Sequence, residues 1–144
     1  MREARTFAGR LDAWIEKQRR RLEADQARRA PADPDHLQRE IRARAKRELP
    51  SRLLELAAAL GLAVSKVSVR NQRWRWGSCS PSGHVCLNWR LVSMPTWVRD
   101  YVMIHELMHL RRMDHSKKFW KLVAQACPDY ETARRWLREN GRAL

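Results

Sequence analysis

His105-Glu106-Leu107-Met108-His109, followed six residues later by His115, constrains this chain more than any other stretch. Residues four apart on an α-helix lie on one face, one turn apart, so two imidazoles at this spacing can reach a single metal ion. Glu106 then projects about 100° round the helix from His105. From there it can hold the attacking water and act as general base. His115 adds a second demand. If the helix continued, residue 115 would lie about 240° round from His109 and roughly 9 Å further along the axis, too far to share the ion. The chain is therefore expected to leave the helix near Met113, with Asp114 and Ser116 making a turn and capping a new helix. Three protein ligands with one open position suit a catalytic zinc rather than a structural one. One Zn²⁺ per chain is expected, held by His105, His109 and His115. Asp100 or Asp114 are candidates to orient a ligand imidazole through its distal N–H.

The flanking residues place this motif in a fold. Pro95 sits at a first helical position. Val98, Tyr101, Val102, His105, Met108 and His109 then share one broad face, and Met103, Leu107 and Leu110 cover another, so the helix is predicted to be buried nearly all round. Upstream, Lys66–Arg70 and Arg73–Trp76 alternate like strands. A turn-rich Gly77–Gly83 separates the second of these from a returning strand, Val85–Trp89. The N-terminal part reads as helical. One helix is expected over residues 5–30, with apolar points at Phe7, Leu11, Trp14, Ile15 and Leu22, stopped by Pro31 and Pro34. Asp35 is a candidate N-cap for the next helix, His36–Glu48, which Pro50 interrupts before a continuation over Ser51–Leu60 that ends at Gly61. Ser116–Ala126 and Tyr130–Asn140, separated by Pro128, read as a last helical pair.

The chain has 144 residues, about the size of one domain, and a net charge of +14. The charge is not a single tail: residues 1–48 hold 14 Lys/Arg against 9 Asp/Glu, and residues 49–144 hold 16 against 7. Such a balance reads either as a solvated Arg-rich surface or as an attraction to nucleic acid. Three cysteines without a secretory segment argue against a disulfide framework, and no apolar run is long enough to span a bilayer. A cytoplasmic protein is expected, without membrane partners. Cys79, His84 and Cys86 lack Cys-x-x-Cys spacing and an obvious fourth ligand, so they read as small buried residues before a second zinc. The Arg73–Trp76 cluster, with Trp89 and Arg90, could stack bases, but reads first as a hairpin with one aromatic face on the core. His36 lies in a charged helix and reads as surface.

Several separate motifs occur in an order that resembles the YgjP-like metallopeptidases, relatives of the SprT-like and WLM proteases. They are Arg75-Trp76-Gly77-Ser78-Cys79-Ser80, Leu87-Asn88-Trp89-Arg90-Leu91, Tyr101-Val102, His105–Leu110, and His115-Ser116-Lys117-Lys118-Phe119-Trp120. The likeness runs over roughly residues 36–141. It implies a zincin fold in which His105, His109 and His115 bind zinc and Glu106 is the catalytic acid/base. By analogy with zincins, the substrate would lie extended along an edge strand, here Val85–Trp89 or its Arg73–Trp76 partner. Metzincins share the six-residue gap to the third histidine but place a glycine within it, where this chain has Arg112, so the turn must be made differently.

The expected architecture is thus α+β: a zincin-like single domain with a small antiparallel sheet packed on a metal-bearing helix and helical N-terminal and C-terminal segments. Residues 1–34 form a basic helical extension and 35–144 the metallopeptidase domain. The expected activity is zinc-dependent peptide hydrolysis on a peptide or protein substrate. Tyr101, His84 and nearby arginines are candidates for the oxyanion partner. Two alternatives stand behind this reading. One is a metal-dependent nucleotide phosphohydrolase, disfavoured by the scarcity of carboxylates near the motif. The other is a basic zinc-stabilised nucleic-acid-binding module with Glu106 idle, and a protease acting on DNA-associated proteins would combine it with the first reading.

Overall fold

Residues 13–22 are helical (α1), with Trp14 and Ile15 half-buried and Leu22 exposed. The computed structural model describes residues 13–22 and 34–143, so the rest of the helix expected over 5–30 lies outside the described residues. The chain divides into two compact units at Glu40–Ile41, and every residue of the site described below belongs to the second.

Ala45, Leu49, Leu53 and Ala57 recur every four residues and form the buried stripe of one helix, α2 (Pro34–Leu60). It begins at Pro34, which leaves Asp35 in its first turn rather than at the cap. Pro50 lies inside α2 and does not end it, contrary to the expectation of two helices. An interior proline costs a helix about 3 kcal/mol, because the carbonyl four residues back loses its N–H partner. Here that carbonyl belongs to Lys46, on the exposed side. Leu49 and Leu53, on either side of Pro50, are fully buried, and each such burial is worth about 1.5–3 kcal/mol, enough to hold both halves in line. Gly61 ends the helix with φ +68, its N–H donating to Ala58 and that of Leu62 to Ala57, which is a Schellman closure.

The sheet has three strands, β1 (Lys66–Arg70), β2 (Gly77–Cys79) and β3 (His84–Asn88), in the order β1-β3-β2. It is mixed rather than antiparallel: β1 runs parallel to β3, pairing Lys66 with His84, and β2 runs antiparallel to β3, pairing Gly77 with Leu87. The expected strand over Arg73–Trp76 does not form. That segment instead carries the chain over the end of β3, so that β3 enters between its two predecessors. Buried Asn88 at the end of β3 pins this crossing. Its amide donates to the carbonyls of Gln72 (2.7 Å) and Arg75 (2.9 Å), and its backbone N–H donates to Trp76. Asn88 also accepts from Arg90 N, capping a 3₁₀ turn over Trp89–Ser93, so Trp89 lies outside the strand.

Helix α3 (Thr96–Met108) follows Pro95, its N-cap, and is buried nearly all round as predicted. The Arg52 guanidinium fastens it to α2 through a two-point contact with Asp100 at 2.9 and 3.1 Å. Helices α4 (Lys117–Ala126) and α5 (Tyr130–Asn140) complete the fold and contribute Phe119, Val123, Ala133 and Trp136 to the core. Cys79, Cys86 and Cys127 are all free thiols. Among the described residues no helix is long and apolar enough to cross a membrane.

Candidate functional site

Helix α3 stops at Met108, and His109 is its C-cap, so the chain leaves the helix about one turn earlier than the spacing requires. Leu110 and Arg111 donate to the carbonyls three residues back, and Arg112 to that of Met108, tightening the exit. Among the described residues no side-chain-bearing residue has positive φ, so Arg112 makes this turn without a glycine's backbone freedom. Its guanidinium does the fastening, donating from Nε to Asp114 Oδ1 and to Ser116 Oγ, both at 2.9 Å. Ser116 donates to Asp114 (2.8 Å) and caps α4 by accepting from Phe119 N. His115 is thereby turned back toward the helix it has left.

One ligand atom from each of His105, His109 and His115 lies within 4.8 Å of the others, a grouping that could hold a metal ion. His109 Nδ1 donates to the Arg112 carbonyl at 3.0 Å, which fixes its tautomer and leaves Nε2 with a free lone pair. A backbone carbonyl thus takes the role considered for Asp100 or Asp114, which are engaged with Arg52 and with Arg112 and Ser116. Phe119, quoted in the sequence only as part of a motif, stacks flat on His109 at 4.3 Å and meets His105 and His115 edge-on, so the rings have an apolar backing. Its place in the His115–Trp120 motif is the signal that could have found it.

Burial and the neighbouring imidazoles hold His105 down to about 4, and burial lowers His109 as well, so both are neutral near pH 7 with lone pairs available. Glu106 Oε1 lies 3.7 Å from His105 Nε2. Burial pushes the Glu106 carboxyl up to about 7, against the opposing pull of Arg75. Glu106 Oε2 and His105 Nδ1 are both buried without a hydrogen-bond partner. Such orphaned polar atoms are costly in a finished core, and the Glu106 oxygen, beside three clustered imidazoles, fits the water of a metal ion.

Above Glu106 lies β2. A Cβ on Gly77 would come 2.9 Å from Glu106 Cγ and 3.1 Å from the Cys86 carbonyl, so only a glycine lets the strand lie this close to the carboxylate. Gly77→Ala is therefore expected to cost about 1–3 kcal/mol, the range for overpacking, and to displace Glu106. The denaturant midpoint and activity of this variant should fall together. Unchanged stability and activity would show that the strand stands further off.

The other predicted residues fall elsewhere. His84 sits on the far face of the sheet, with Nε2 2.8 Å from Ser68 Oγ and 3.6 Å from Cys86 Sγ, and so is removed from the imidazole group. Tyr101 lines a cleft of about 360 Å³ beside His105 and His115, and burial pushes its phenol up to about 12, which keeps it a proton donor. The aromatic hairpin face divides. Trp89 is buried and Trp76 packs against Gly141, but Trp74 is 90% exposed.

The family model described as "YgjP-like, metallopeptidase domain" matches residues 9–140, reaching back over α1 and beyond the motif-bearing stretch. Among solved structures, the chain is similar to the metallopeptidase zymogen abylysin of Pyrococcus abyssi. The TM-score is 0.52 at 24% identity, over 60% of this chain and 90% of that one. That likeness is one of fold: a mostly helical α+β arrangement with a small mixed sheet. A search of curated proteins gave no match.

Proposed function

The chain belongs to the YgjP-like metallopeptidase domain family, and on that premise we propose that it is a zinc peptidase with His105, His109 and His115 as ligands and Glu106 as general base. The observation that carries this reading is the convergence of three imidazole nitrogens within 4.8 Å, beside a buried carboxylate with an unpartnered oxygen. Zinc is preferred over magnesium or calcium because all three donors are imidazoles, whereas those harder ions take oxygen. Bound there, zinc would supply Lewis-acid polarisation of the scissile carbonyl and acidify the attacking water.

The protein's own groups do the rest. Glu106 takes a proton from the water as its oxygen bonds to the carbonyl carbon, and delivers that proton to the amine nitrogen as the C–N bond breaks. Tyr101 is the candidate donor toward the oxygen that gains charge. Substrate is assigned to β2: β3 is central in the sheet, while β2 lies over Glu106 and its outer edge has no strand partner among the described residues. This replaces the two edge strands suggested by sequence.

A diverse peptide library incubated with the zinc-loaded protein, read by mass spectrometry, tests the reading. Cleavage should appear, vanish on chelation and return with added zinc. Cleavage that survives chelation would overturn it.

A nucleic-acid role has one observation of its own in its favour. Residues 56–99 contain no Asp or Glu but six Lys/Arg, and within them Trp74 stands exposed beside Arg73 and Arg75. Single-stranded DNA binding is the expected outcome, falling steeply between low and physiological salt and about tenfold or more weaker in Trp74→Ala, the scale of one lost stacking contact. Affinity indifferent to both salt and Trp74 would remove this second reading. The phosphohydrolase alternative gains nothing, since the clustered donors are all imidazoles.

A further inference from the structure

The cleft beside the three imidazoles carries positive charge that the hydrolytic chemistry leaves unused. Arg134 and Arg138 are four residues apart on α5, hence one turn apart on the same face, and both line the cleft together with Tyr101, His105, His115 and Trp120. None of the lining residues is acidic. Among the described residues no carboxylate oxygen lies within 4.0 Å of either guanidinium.

Arg134 is also positioned. Its guanidinium lies 4.4 Å over the Trp120 ring, and Trp120 stacks in turn on Tyr130 at 5.7 Å. A guanidinium held over an indole by this cation–π contact keeps N–H donors that can meet a carboxylate with two parallel hydrogen bonds. An exposed arginine is unremarkable in a chain of this charge. Two on the wall of the cleft that holds His105 and His115, one of them braced by a pair of stacked rings, form a defined anion-facing surface.

We infer that Arg134 and Arg138 form a subsite for a carboxylate of the substrate close to the scissile bond, an inference that rests on the peptidase reading. The carboxylate is either an Asp or Glu side chain within a longer peptide or the C-terminal carboxylate of the substrate itself. The first makes the protein an acid-selective endopeptidase, the second a carboxypeptidase.

Two pairs of N-acetyl peptides test this: one pair amidated at the C-terminus and differing only in Glu against Gln, the other ending in a free acid or an amide. Their binding is measured by fluorescence anisotropy to the zinc-loaded full-length Glu106→Gln protein, which should not turn them over. Cleavage of the same peptides by the unsubstituted protein is followed in parallel. In at least one pair the carboxylate peptide should bind about tenfold or more tightly, the scale of a charge-assisted hydrogen bond. The pair that discriminates identifies the source of the carboxylate.

That ratio should collapse toward one with Arg134→Gln and Arg138→Gln combined, and reverse in favour of the uncharged member of the discriminating pair in Arg138→Glu, a reversal that simple loosening of the fold cannot produce. Arg138 is exposed, so its single variants keep the test open if the double variant fails to fold. Equal binding within both pairs overturns the subsite, as does a preference that survives all the arginine variants. Cleavage without carboxylate preference rejects the subsite and leaves the peptidase reading intact. Carboxylate-selective binding with no cleavage does the opposite.

Discussion

Glu106→Gln is expected to lower peptide hydrolysis by about 10²-fold or more while zinc content and melting temperature stay near those of the unsubstituted protein. The fall is the usual scale for loss of a general base. Glutamine keeps the volume that Gly77 and β2 close over, and it can still hydrogen-bond a water, but it cannot accept that water's proton. Retained zinc is expected because the three imidazoles converge without the carboxylate. The variant also places no ionised group in the buried position, so no unpaired charge is created there. Metal analysis, a melting curve and the rate on one cleaved peptide are sufficient. An unchanged rate would sink the mechanism and leave a structural metal as the better account. Loss of zinc would instead make Glu106 a support of the site itself.

The parts of this protein that were legible in the sequence are those fixed by local periodicity. Two histidines at helical spacing, the alternation in Lys66–Arg70 and the capping serine at 116 all specify their own surroundings, and each is found where the pattern puts it, whereas Pro95, expected at the first helical position, is the N-cap one residue earlier. Long-range features were not legible in this way. Arg73–Trp76 alternates as well as any strand, yet it is a crossing segment because Asn88, thirteen or more residues later, takes the carbonyls of Gln72 and Arg75. The parallel pairing of β1 with β3 follows from that crossing, and nothing within either strand announces it. Pro50 misled for a related reason: its local cost is real, but Leu49 and Leu53 are held by the core on both sides of it.

The candidate site shows the same division. The imidazoles, Glu106 and the Asp114–Ser116 turn could be named from a short window, whereas the other groups that hold them could not. Gly77 matters only because β2 passes over Glu106, and the Arg112 carbonyl only because the chain turns there. Arg134 and Arg138 belong to a helix that sequence spacing places correctly but cannot aim at the cleft.

His115→Ala should weaken zinc binding by more than about 100-fold, beyond the 10–100-fold that loss of a supporting partner costs a metal site, and abolish measurable hydrolysis. His105 and His109 are fixed by the helix whether or not a metal is present. His115 comes to them only through the turn that Arg112, Asp114 and Ser116 hold together. Removing its imidazole leaves two ligands, one fewer than an open zinc site uses to keep the ion while leaving a position for water. The fold should survive, because His115 is exposed and the α4 cap belongs to Ser116, so the melting temperature of the metal-free protein is expected to move little. Arg112→Ala then provides the graded case. It keeps every ligand but loosens the turn, and its zinc affinity should fall between those of the unsubstituted protein and His115→Ala. Competition against a chromophoric chelator ranks the three. Full zinc occupancy in His115→Ala at low free zinc would mean that a third ligand other than His115 completes the site, and the turn would then need another purpose.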